Sequence, residues 1–445
     1  MSDDSSDALR EDILREVRDQ QIKVIRLWFS DILGHIKGFA IPARELENAF
    51  KFGMGFDGSS IEGFARIHES DLMAHPDPTS FTVLNIDGEY VAARMFCDLK
   101  TPEGKSFPGD PRYILRRNLE KASAKGYTFF VGPEIEFFYF KNHESTEILD
   151  YGGYFDANIH ETGTLMRKRS IFALEQMGIP VEYSHHEVAP SQHEIDLRYC
   201  PALEMADRCL TYRFILKEIA KQHGYYATFM PKPITGVNGS GMHTHQSLFT
   251  GDHNAFFDAD KPYQLSNIAR HYLAGLLKYI REITSVLNQT VNSYKRLVPG
   301  YEAPAYICWG QMNRSALVRV PRVRIGREQS TRLELRSPDP VANPYLAFSV
   351  MLAAGLRGIE QKLEPPEPVE ENIFELSGRE LKTLNITTLP ANLYEAITLT
   401  QESELVRETL GNHVFEKFID NKLIEWDRWR TAVTDFEIKN YLPIL

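Results

Sequence analysis

Four short segments of this chain carry acidic, imidazole, amide, hydroxyl or arginine side chains at every second position. In a β-strand, residues two apart point to the same face of the sheet. The side chains predicted to share a face within each segment are Glu134 and Glu136; Gln192, Glu194 and Asp196; His243, His245 and Ser247; and Arg332, Glu334 and Arg336. Glu187 is predicted to lie on the strand before the second segment. A solvated sheet face is the ordinary explanation of any one segment alone.

The four segments together predict a metal-dependent site. If their strands line one cavity, five glutamates converge, and like charges about 4 Å apart repel by roughly 4 kcal/mol at an intermediate dielectric. Bound cations would offset this repulsion, and oxygen ligands with one imidazole suit Mg²⁺ or Mn²⁺ better than zinc. Metals beside arginines bind nucleotide phosphates, and the chain has no GxxxxGK[ST] loop. The pattern therefore predicts phosphoryl transfer, with a metal-dependent phosphatase left open.

The segments that must position these residues indicate an α+β chain of two domains. Residues 7–19 have helical periodicity, whereas residues 24–34 and 91–99 read as strands. The Pro- and Gly-rich stretch that follows is the predicted boundary, which gives a small N-terminal domain at 1–106 and a catalytic domain at 107–445. Asp110 before Pro111 then predicts a helix start, because a capping side chain precedes a residue with preset φ.

The catalytic domain is predicted to alternate strands and helices before it becomes largely helical. The predicted elements are a strand at 127–140, a helix at 170–178, two strands around a turn at 181–199, a helix ending at 222, and mainly helices from about 345 onward. No internal repeat or low-complexity segment interrupts this order.

Composition excludes several classes of protein. The chain has 445 residues and a net charge of −11, whereas a surface that binds nucleic acid would normally be basic. Its four cysteines have no CxxC spacing, which fits a reducing compartment. The N-terminus is acidic and polar, unlike a signal peptide, and no apolar run reaches membrane-spanning length. We therefore expect a cytoplasmic protein that binds neither membrane nor nucleic acid.

These same segments carry a resemblance to class I glutamine synthetase, in family order from about residue 20 to the C-terminus. The motifs that resemble the family are GFDGSSIEGF (55–64), ESDLMAHPD (69–77), GPEIEFF (132–138), HHEVAPSQHEID (185–196), NGSGMHTHQSL (238–248), NSYKRLVPGYEAP (292–304), NRSALVRVP (313–321) and LELRSPDPVANPYL (333–346). The resemblance implies an N-terminal β-grasp domain and a catalytic domain with an incomplete antiparallel β-barrel surrounded by helices.

The resemblance also implies an activity and an assembly. The activity is ATP-dependent ligation of ammonia to the γ-carboxylate of glutamate through γ-glutamyl phosphate, with two to three Mg²⁺ or Mn²⁺ ions per subunit and ATP as a substrate. The assembly is a homododecamer of two hexameric rings, with each active site between neighbouring subunits. Transcription regulators or small signalling proteins are possible partners.

Site residues follow from the resemblance motif by motif. It implies one metal position at Glu136, Glu187 and Glu194, and another at Glu134, His243 and Glu334. The residues similar to the family's glutamate-binding and flap residues are Asn238, Gly239, Arg296, Glu302 and Arg336. Those similar to its ATP-facing residues are Tyr199, His245, Ser247, Arg314, Arg319 and Arg332. Asp57, Glu302 and Arg314 are the implied catalytic residues, and Asp57 would come from the adjacent subunit to bind ammonium.

Details of the motifs indicate a subdivision and leave alternatives. Tyr394 lies in LPANLYEAI rather than in the family's adenylylation context, so the resemblance favours the alpha type without that modification. Arg66 resembles an arginine linked there to feedback by glutamine. The loop 321–331 matches the family poorly. A ligase for methylamine, ethanolamine or a polyamine is the main alternative, and a non-catalytic relative is another, although all six metal-ligand candidates are present.

Overall fold

The structure is a computed structural model of the whole chain. It describes residues 3–61, 63, 71–84, 91–157, 162–300, 303–324, 326–371, 373–376, 378–384 and 386–445. Glu302 and Arg66, both singled out by the sequence, lie outside the described residues.

The N-terminal region forms a six-stranded mixed sheet with two helices packed against it. Its elements are α1 (Asp3–Asp19), β1 (Val24–Ser30), β2 (Ile36–Pro42), α2 (Leu46–Phe52), β3 (Met54–Asp57), β4 (Asp71–Pro76), β5 (Thr82–Leu84) and β6 (Ala92–Lys100). The strand order is β2-β1-β6-β4-β3, and β5 also pairs with β6; β1 runs parallel to β6, whereas the other described pairs are antiparallel. Ile13 and Val17 of α1 are buried in this region's core, as the helical periodicity predicted.

The rest of the chain is built on a ten-stranded sheet. Its strands are β7 (Thr128–Phe140), β8 (Val181–His186), β9 (Gln192–Leu197), β10 (Cys200–Pro201), β11 (Tyr226–Thr228), β12 (Met242–Thr250), β13 (His253–Asn254), β14 (Trp309–Gly310), β15 (Val318–Arg319) and β16 (Leu333–Leu335). The order is β14-β15-β16-β12-β7-β9-β8, and every pair except β14 with β15 is antiparallel. The 13-residue β7 is central, because it pairs with β9, β10, β11 and β12.

Helices pack on this sheet and on one another, and the last of them along the chain is exposed. They are α3 (Pro111–Ser123), α4 (Thr162–Gln176), α5 (Ala202–Gln222), α6 (Asn267–Leu287), α7 (Ser293–Arg296), α8 (Pro344–Glu360), α9 (Gly378–Thr383), α10 (Leu393–Gln401), α11 (Glu404–Leu410), α12 (Asn412–Arg430) and α13 (Asp435–Tyr441). Helices α6 and α8 pack closely, since a Cβ on Gly275 would lie 2.2 Å from the carbonyl oxygen of Ala354. In the described part of the chain, no helix has the length and apolar character to cross a membrane.

Polar and aromatic contacts join the two regions. The ring centroids of Trp28 in β1 and Phe214 in α5 lie 4.9 Å apart, edge to face. Asp110 caps α3 by accepting the N–H of Arg112, as its position before Pro111 predicted. The side chain of Arg112 then reaches back to the N-terminal region, where it pairs with Asp77 at 2.7 Å. The N-terminal sheet is therefore joined to the rest of the chain through helices α3 and α5.

Candidate active site

Strand register brings the predicted acids together on one face of the large sheet. On β7, Glu134 lies opposite His243 of β12 and Asp196 of β9, which flank it on its two sides. Two residues further along, Glu136 lies opposite Glu194 of β9. Side chains directly opposite each other in a sheet have Cβ atoms about 5 Å apart, so the carboxylates converge.

The first group of possible metal ligands contains Glu134, His243 and Glu334, whose ligand atoms lie within 4.8 Å of one another. Glu134 Oε2 lies 3.2 Å from His243 Nδ1, and Glu134 Oε1 lies 2.7 Å from Nε2 of His245. Burial raises the pKa of Glu134, but the two histidines outweigh burial and hold it well below its usual range. The sequence predicted this trio as one metal position, and the structure brings its members together.

Glu334 is fully buried and is bridged by two arginines. Its Oε2 accepts a hydrogen bond from Arg319 at 2.7 Å, and its Oε1 accepts one from Arg336 at 2.6 Å. Burial raises the pKa of Glu334, but Arg336, followed by His245, outweighs burial and lowers it to about 2. This carboxylate is therefore ionised at neutral pH. Arg332 and Arg336 flank the three-residue β16 and are not part of the strand.

The second group of possible metal ligands contains Glu187 and Glu194, both predicted for the other metal position, together with His185, which was not predicted. His185 Nε2 lies 3.2 Å from Glu194, and its Nδ1 lies 3.4 Å from Glu187. Glu187 follows β8 and is not on that strand, contrary to the sequence interpretation.

Glu136 stands beside this second group and lines the same cavity. Its Oε2 accepts hydrogen bonds from Gln192 Nε2 and from the N–H of Gly241, each at 2.9 Å. Its other oxygen lies 3.7 Å from His243 Nε2. Glu136 therefore has one oxygen held by the protein and the other directed between the two groups.

The electrostatics of this face fit divalent cations. Burial, followed by the charges of Asp196, Glu134, Glu136 and Glu187, raises the pKa of Glu194 well above its usual value. Burial and the charge of Glu134 likewise raise the pKa of Asp196 to about 7. A bound divalent cation would offset the repulsion between these carboxylates and favour their ionised forms. Carboxylate oxygens with one imidazole per group are a donor set that Mg²⁺ or Mn²⁺ accepts.

The face of the sheet that carries Glu134, Glu136 and Glu194, called the acid face below, lines a cavity of about 590 Å³. Arginine side chains line another part of the same cavity. The arginines that line it are Arg296, Arg314, Arg319, Arg332 and Arg336, all predicted site residues. Arg296 is 2% exposed, and its guanidinium donates to the backbone carbonyls of Arg336 and Ser337 at 3.0 and 2.8 Å. Arg332 donates to His245 Nδ1 at 3.2 Å. Anionic substrate groups would therefore meet acids on one side and guanidinium groups on the other.

A smaller pocket of about 170 Å³ adjoins this cavity and contains the predicted nucleotide residues. Tyr199, His245 and Ser247 line it together with the apolar ring of Phe130 and the carboxylate of Glu182. Glu134, Tyr183, His245 and Arg332 line both spaces, so the two are continuous. Aromatic walls beside arginines suit a base and its phosphates.

The remaining predicted residues divide between the cavity and other places. Asn238 and Gly239 line the cavity. Asp57 does not line the cavity: it ends β3 in the N-terminal region, is exposed, and accepts the N–H of Ser59 at 2.8 Å. Tyr394 is half exposed on α10, where its ring stacks on Trp426.

Several cavity residues were not among the predicted site residues. They are Tyr154, Phe155, Tyr183, His185, Val188, Gln192 and Ala303. Tyr154 hydrogen-bonds Arg314, and the ring of Phe155 stacks on His185 with centroids 4.3 Å apart. Alternation on β9 did place Gln192 on the acid face. Phe155 has a φ of +63° in an irregular segment, and no strand or helix pattern in the sequence marks it.

An adjoining basic space of about 1210 Å³ also went unpredicted. Arg322, Arg324 and Arg327, which were not among the predicted site residues, line it beside Arg314 and Arg319. The loop thus extends the arginine side of the cavity outward.

Fold and cavity together define a class: a two-domain enzyme with an acid- and imidazole-lined site on a curved, largely antiparallel sheet and an arginine-lined entrance. Residues 108–441 match the family model described as glutamine synthetase, catalytic domain, and residues 21–102 match glutamine synthetase, beta-Grasp domain. The chain belongs to the glutamine synthetase family and is an enzyme of that family. The predicted β-grasp domain and half-barrel sheet are thereby confirmed.

Curated relatives match over nearly their full lengths. Glutamine synthetase of Mycolicibacterium smegmatis is 50% identical over 98% of this chain and 100% of its own. Glutamine synthetase of Thermotoga maritima is 49% identical over 97% of this chain and 99% of its own. Among solved structures, a GmaS complex with ADP has a TM-score of 0.85 and 31% identity, and it covers 97% of this chain and 99% of its own.

Proposed function

We propose that this enzyme ligates ammonia to the γ-carboxylate of L-glutamate, with ATP as the phosphoryl donor, and releases glutamine, ADP and phosphate. The observation that carries the proposal is the convergence of two metal-ligand groups, an arginine wall and an aromatic pocket in one continuous cavity. About half of the sequence is identical to that of enzymes named glutamine synthetase, which supports the same reaction.

The proposed binding roles follow from position in the cavity. Tyr199, Ser247 and His245 hold the nucleotide in the small pocket, while Arg314, Arg319 and Arg332 face its phosphates. The residues proposed to bind glutamate line the larger cavity, away from the small pocket: Asn238, Gly239, Arg296 and Arg336. Glu134, His243 and Glu334 hold one cation, and Glu136, Glu187 and Glu194 hold the other, with His185 within reach of the second. Two to three Mg²⁺ or Mn²⁺ ions per subunit are proposed.

The proposed chemistry activates the γ-carboxylate of glutamate, which is a poor electrophile until it is phosphorylated. A bound divalent cation would supply Lewis-acid stabilisation of the phosphate oxygens. The glutamate γ-carboxylate attacks the γ-phosphorus of ATP, the bond to ADP breaks, and γ-glutamyl phosphate forms. Arg314 and Arg319 stabilise the charge that develops on the transferring group. Ammonia then attacks the acyl carbon, and phosphate leaves.

Ammonium must be deprotonated before it can attack. We propose that Asp57 binds the cation and helps remove its proton, and that Asp57 comes from a neighbouring subunit because it lies on the exposed end of β3. Glu302 is proposed to close the site against water. The proposal also includes the assembly, a homododecamer of two hexameric rings, and a cytoplasmic location. It further includes a domain boundary at 106/107 and regulation without adenylylation.

An amine panel tests the reaction. Purified enzyme with Mg²⁺, ATP and glutamate is given ammonium, methylamine, ethanolamine or spermidine, and ADP release is compared with product mass. We expect ammonium to give the highest kcat/KM, with one glutamine formed for each ADP. The similarity to GmaS keeps an organic amine as the second candidate. Failure of ammonium where another amine succeeds would select that candidate, and steady phosphate release without glutamate would indicate a phosphatase.

A further inference from the structure

Behind the acid face, a buried aspartate contacts two histidines. Asp150 is 4% exposed, and its Oδ1 accepts a hydrogen bond from His186 Nε2 at 2.7 Å. Its Oδ2 lies 3.2 Å from His193 Nε2. His186 ends β8 next to Glu187, and His193 precedes Glu194 on β9. The cluster therefore sits directly behind the second ligand group, with side chains on the opposite face of the sheet.

Both ring nitrogens of His186 contact oxygen atoms of the protein: Nε2 lies 2.7 Å from Asp150 Oδ1, and Nδ1 lies 2.7 Å from the carbonyl oxygen of Glu187. The ring is therefore held from both sides, between Asp150 and the backbone of a proposed ligand. For His193, Nδ1 lies 3.0 Å from the guanidinium of Arg167, which can only donate, so its proton is on Nε2 facing Asp150.

The same aspartate also holds the turn between the two strands. Its Oδ1 accepts the N–H of Ser191 at 3.0 Å. In return, the hydroxyl oxygen of Ser191 accepts the N–H groups of Leu149 and Asp150 at 2.6 and 3.1 Å. Ser191 has a φ of +61°, a conformation that is uncommon outside glycine and that these bonds stabilise. The β8–β9 turn and the Asp150 segment therefore hold each other in place through these hydrogen bonds.

We propose that Asp150 is a positioning residue, which through His186, His193 and Ser191 fixes the β8–β9 turn so that His185, Glu187 and Glu194 meet in the cavity. The inference rests on the proposed cation role of Glu187 and Glu194. Outer partners of metal ligands typically change metal affinity by about 10- to 100-fold when they are removed. Asp150 acts on the proposed ligands indirectly. It contacts His186, His193 and Ser191, which belong to the same stretch of backbone as Glu187 and Glu194.

A buried metal bound by Asp150, His186 and His193 is the competing explanation, because their ligand atoms lie within 4.8 Å of one another. The proton assignment opposes it: a protonated Nε2 has no lone pair for a metal, and the guanidinium of Arg167 adds positive charge beside His193. The contacts of His193 therefore favour direct pairing of Asp150 with the two imidazoles over a bound cation.

Asp150→Asn tests the proposal, with Mn²⁺ binding measured by electron paramagnetic resonance on the full-length enzyme without substrates. Wild type is expected to show two classes of site. In the variant, one class should weaken by about 10-fold and the other should keep its affinity. Glu334→Ala identifies the class that contains Glu134 and His243. Asp77→Asn is the matched control, since it removes another largely buried carboxylate, one that does not line the cavity, and it should leave both affinities unchanged.

Other outcomes overturn the inference in distinguishable ways. Unchanged binding in Asp150→Asn, or equal weakening of both classes together with a lower Tm, removes the positioning role. Loss of a third tightly bound ion by elemental analysis would establish the buried metal instead. Failure of wild type to bind two classes of Mn²⁺ would contradict the proposed function itself. If Asp150→Asn does not fold, His186→Gln retains a donor toward Asp150 but loses the contact with Glu187, and it should weaken the same class.

Discussion

At the scale of single residues, Glu334 shows how the cavity combines opposite charges. The side chain is fully buried, yet both oxygens have guanidinium partners, and one of these oxygens lies 3.9 Å from His243. Removal of this carboxylate would take away the ion-pair partner that Arg319 and Arg336 share. Its loss would therefore disturb the proposed cation and phosphate positions at the same time.

Glu334→Ala is expected to lower kcat/KM for glutamine formation by at least about 100-fold, because the change removes a proposed ligand and the arginine anchor together. Activity is measured by ADP release, and assembly by size-exclusion chromatography with light scattering. The control is Glu408→Ala, which removes a carboxylate that also pairs with an arginine, Arg357 at 2.7 Å, but outside the cavity lining. Near-normal turnover of Glu334→Ala would refute the metal assignment.

Residue spacing predicted which side chains share a face but not which ones oppose each other. Alternation along β7 and β12 placed Glu134 and His243 correctly toward one side. His185 was not predicted as a partner of Glu187 and Glu194, because its position depends on how β8 pairs with β9 across the sheet. That pairing is a long-range property, absent from the local pattern. The roles of Asp57 and Glu302 stay predictions.

At the scale of elements, the start of α8 joins the two domains. Asn343 caps the helix by accepting the N–H of Tyr345 at 3.0 Å. Its amide nitrogen also donates to the carbonyl oxygens of Asp31 and Ile32, at 3.0 and 3.2 Å, in the turn after β1. One buried side chain therefore satisfies a helix end and two carbonyls of the other domain.

Asn343→Ala is expected to lower the free energy of unfolding by about 2–3 kcal/mol, roughly 1 from the lost cap and the rest from unpaired buried carbonyls. Denaturant unfolding followed by circular dichroism measures the change. Asn392→Ala is the matched control, because Asn392 caps α10 through the N–H of Glu395 and is part-buried. It should cost about 1 kcal/mol. Equal losses in the two variants would show that the inter-domain bonds contribute nothing.

Long elements were predictable from the sequence, whereas short ones were not. The helix α3 and the strand β7 have strong local signals, a cap with proline in one and a run of aromatic and branched residues in the other. The two-residue strands β10, β13, β14 and β15 have no periodicity to read, since they exist only through their partners. Likewise, β16 is held by pairing with β12 and β15.

At the scale of the whole molecule, one arginine links the domains electrostatically. Arg112 is 2% exposed and pairs with Asp77, Asp98 and Asp207 at 2.7, 2.5 and 2.9 Å. Asp77 and Asp98 belong to the N-terminal region, and Asp207 lies on α5. Burial raises the pKa of Asp77, but Arg112 and a hydrogen bond from Thr79 outweigh burial and lower it to about 2.

Acid should therefore loosen the junction between the domains. The pKa of Asp77 is below its unfolded value of 3.8, so its contribution of about 2 kcal/mol is complete above pH 4 and is lost as pH falls toward 2. Asp77→Asn should be less stable than wild type by that amount at pH 7, with the difference shrinking below pH 4. Unfolding free energies from pH 7 to 2.5 measure this.

A pH-independent gap between the two proteins would contradict the acid prediction. Glu147→Gln, which removes an exposed carboxylate partner of Lys141, is the control and should show no gap.

The central position of β7 limits where the chain can change length. It pairs with four other strands, and each pairing fixes which of its residues face the acids and which face the core. Because side chains alternate, one inserted or deleted residue within 133–136 would send Glu134 or Glu136 into the hydrophobic interior and turn Ile135 toward the charges. Length variation among functional versions of this enzyme should be confined to its surface loops, with this strand kept at constant length.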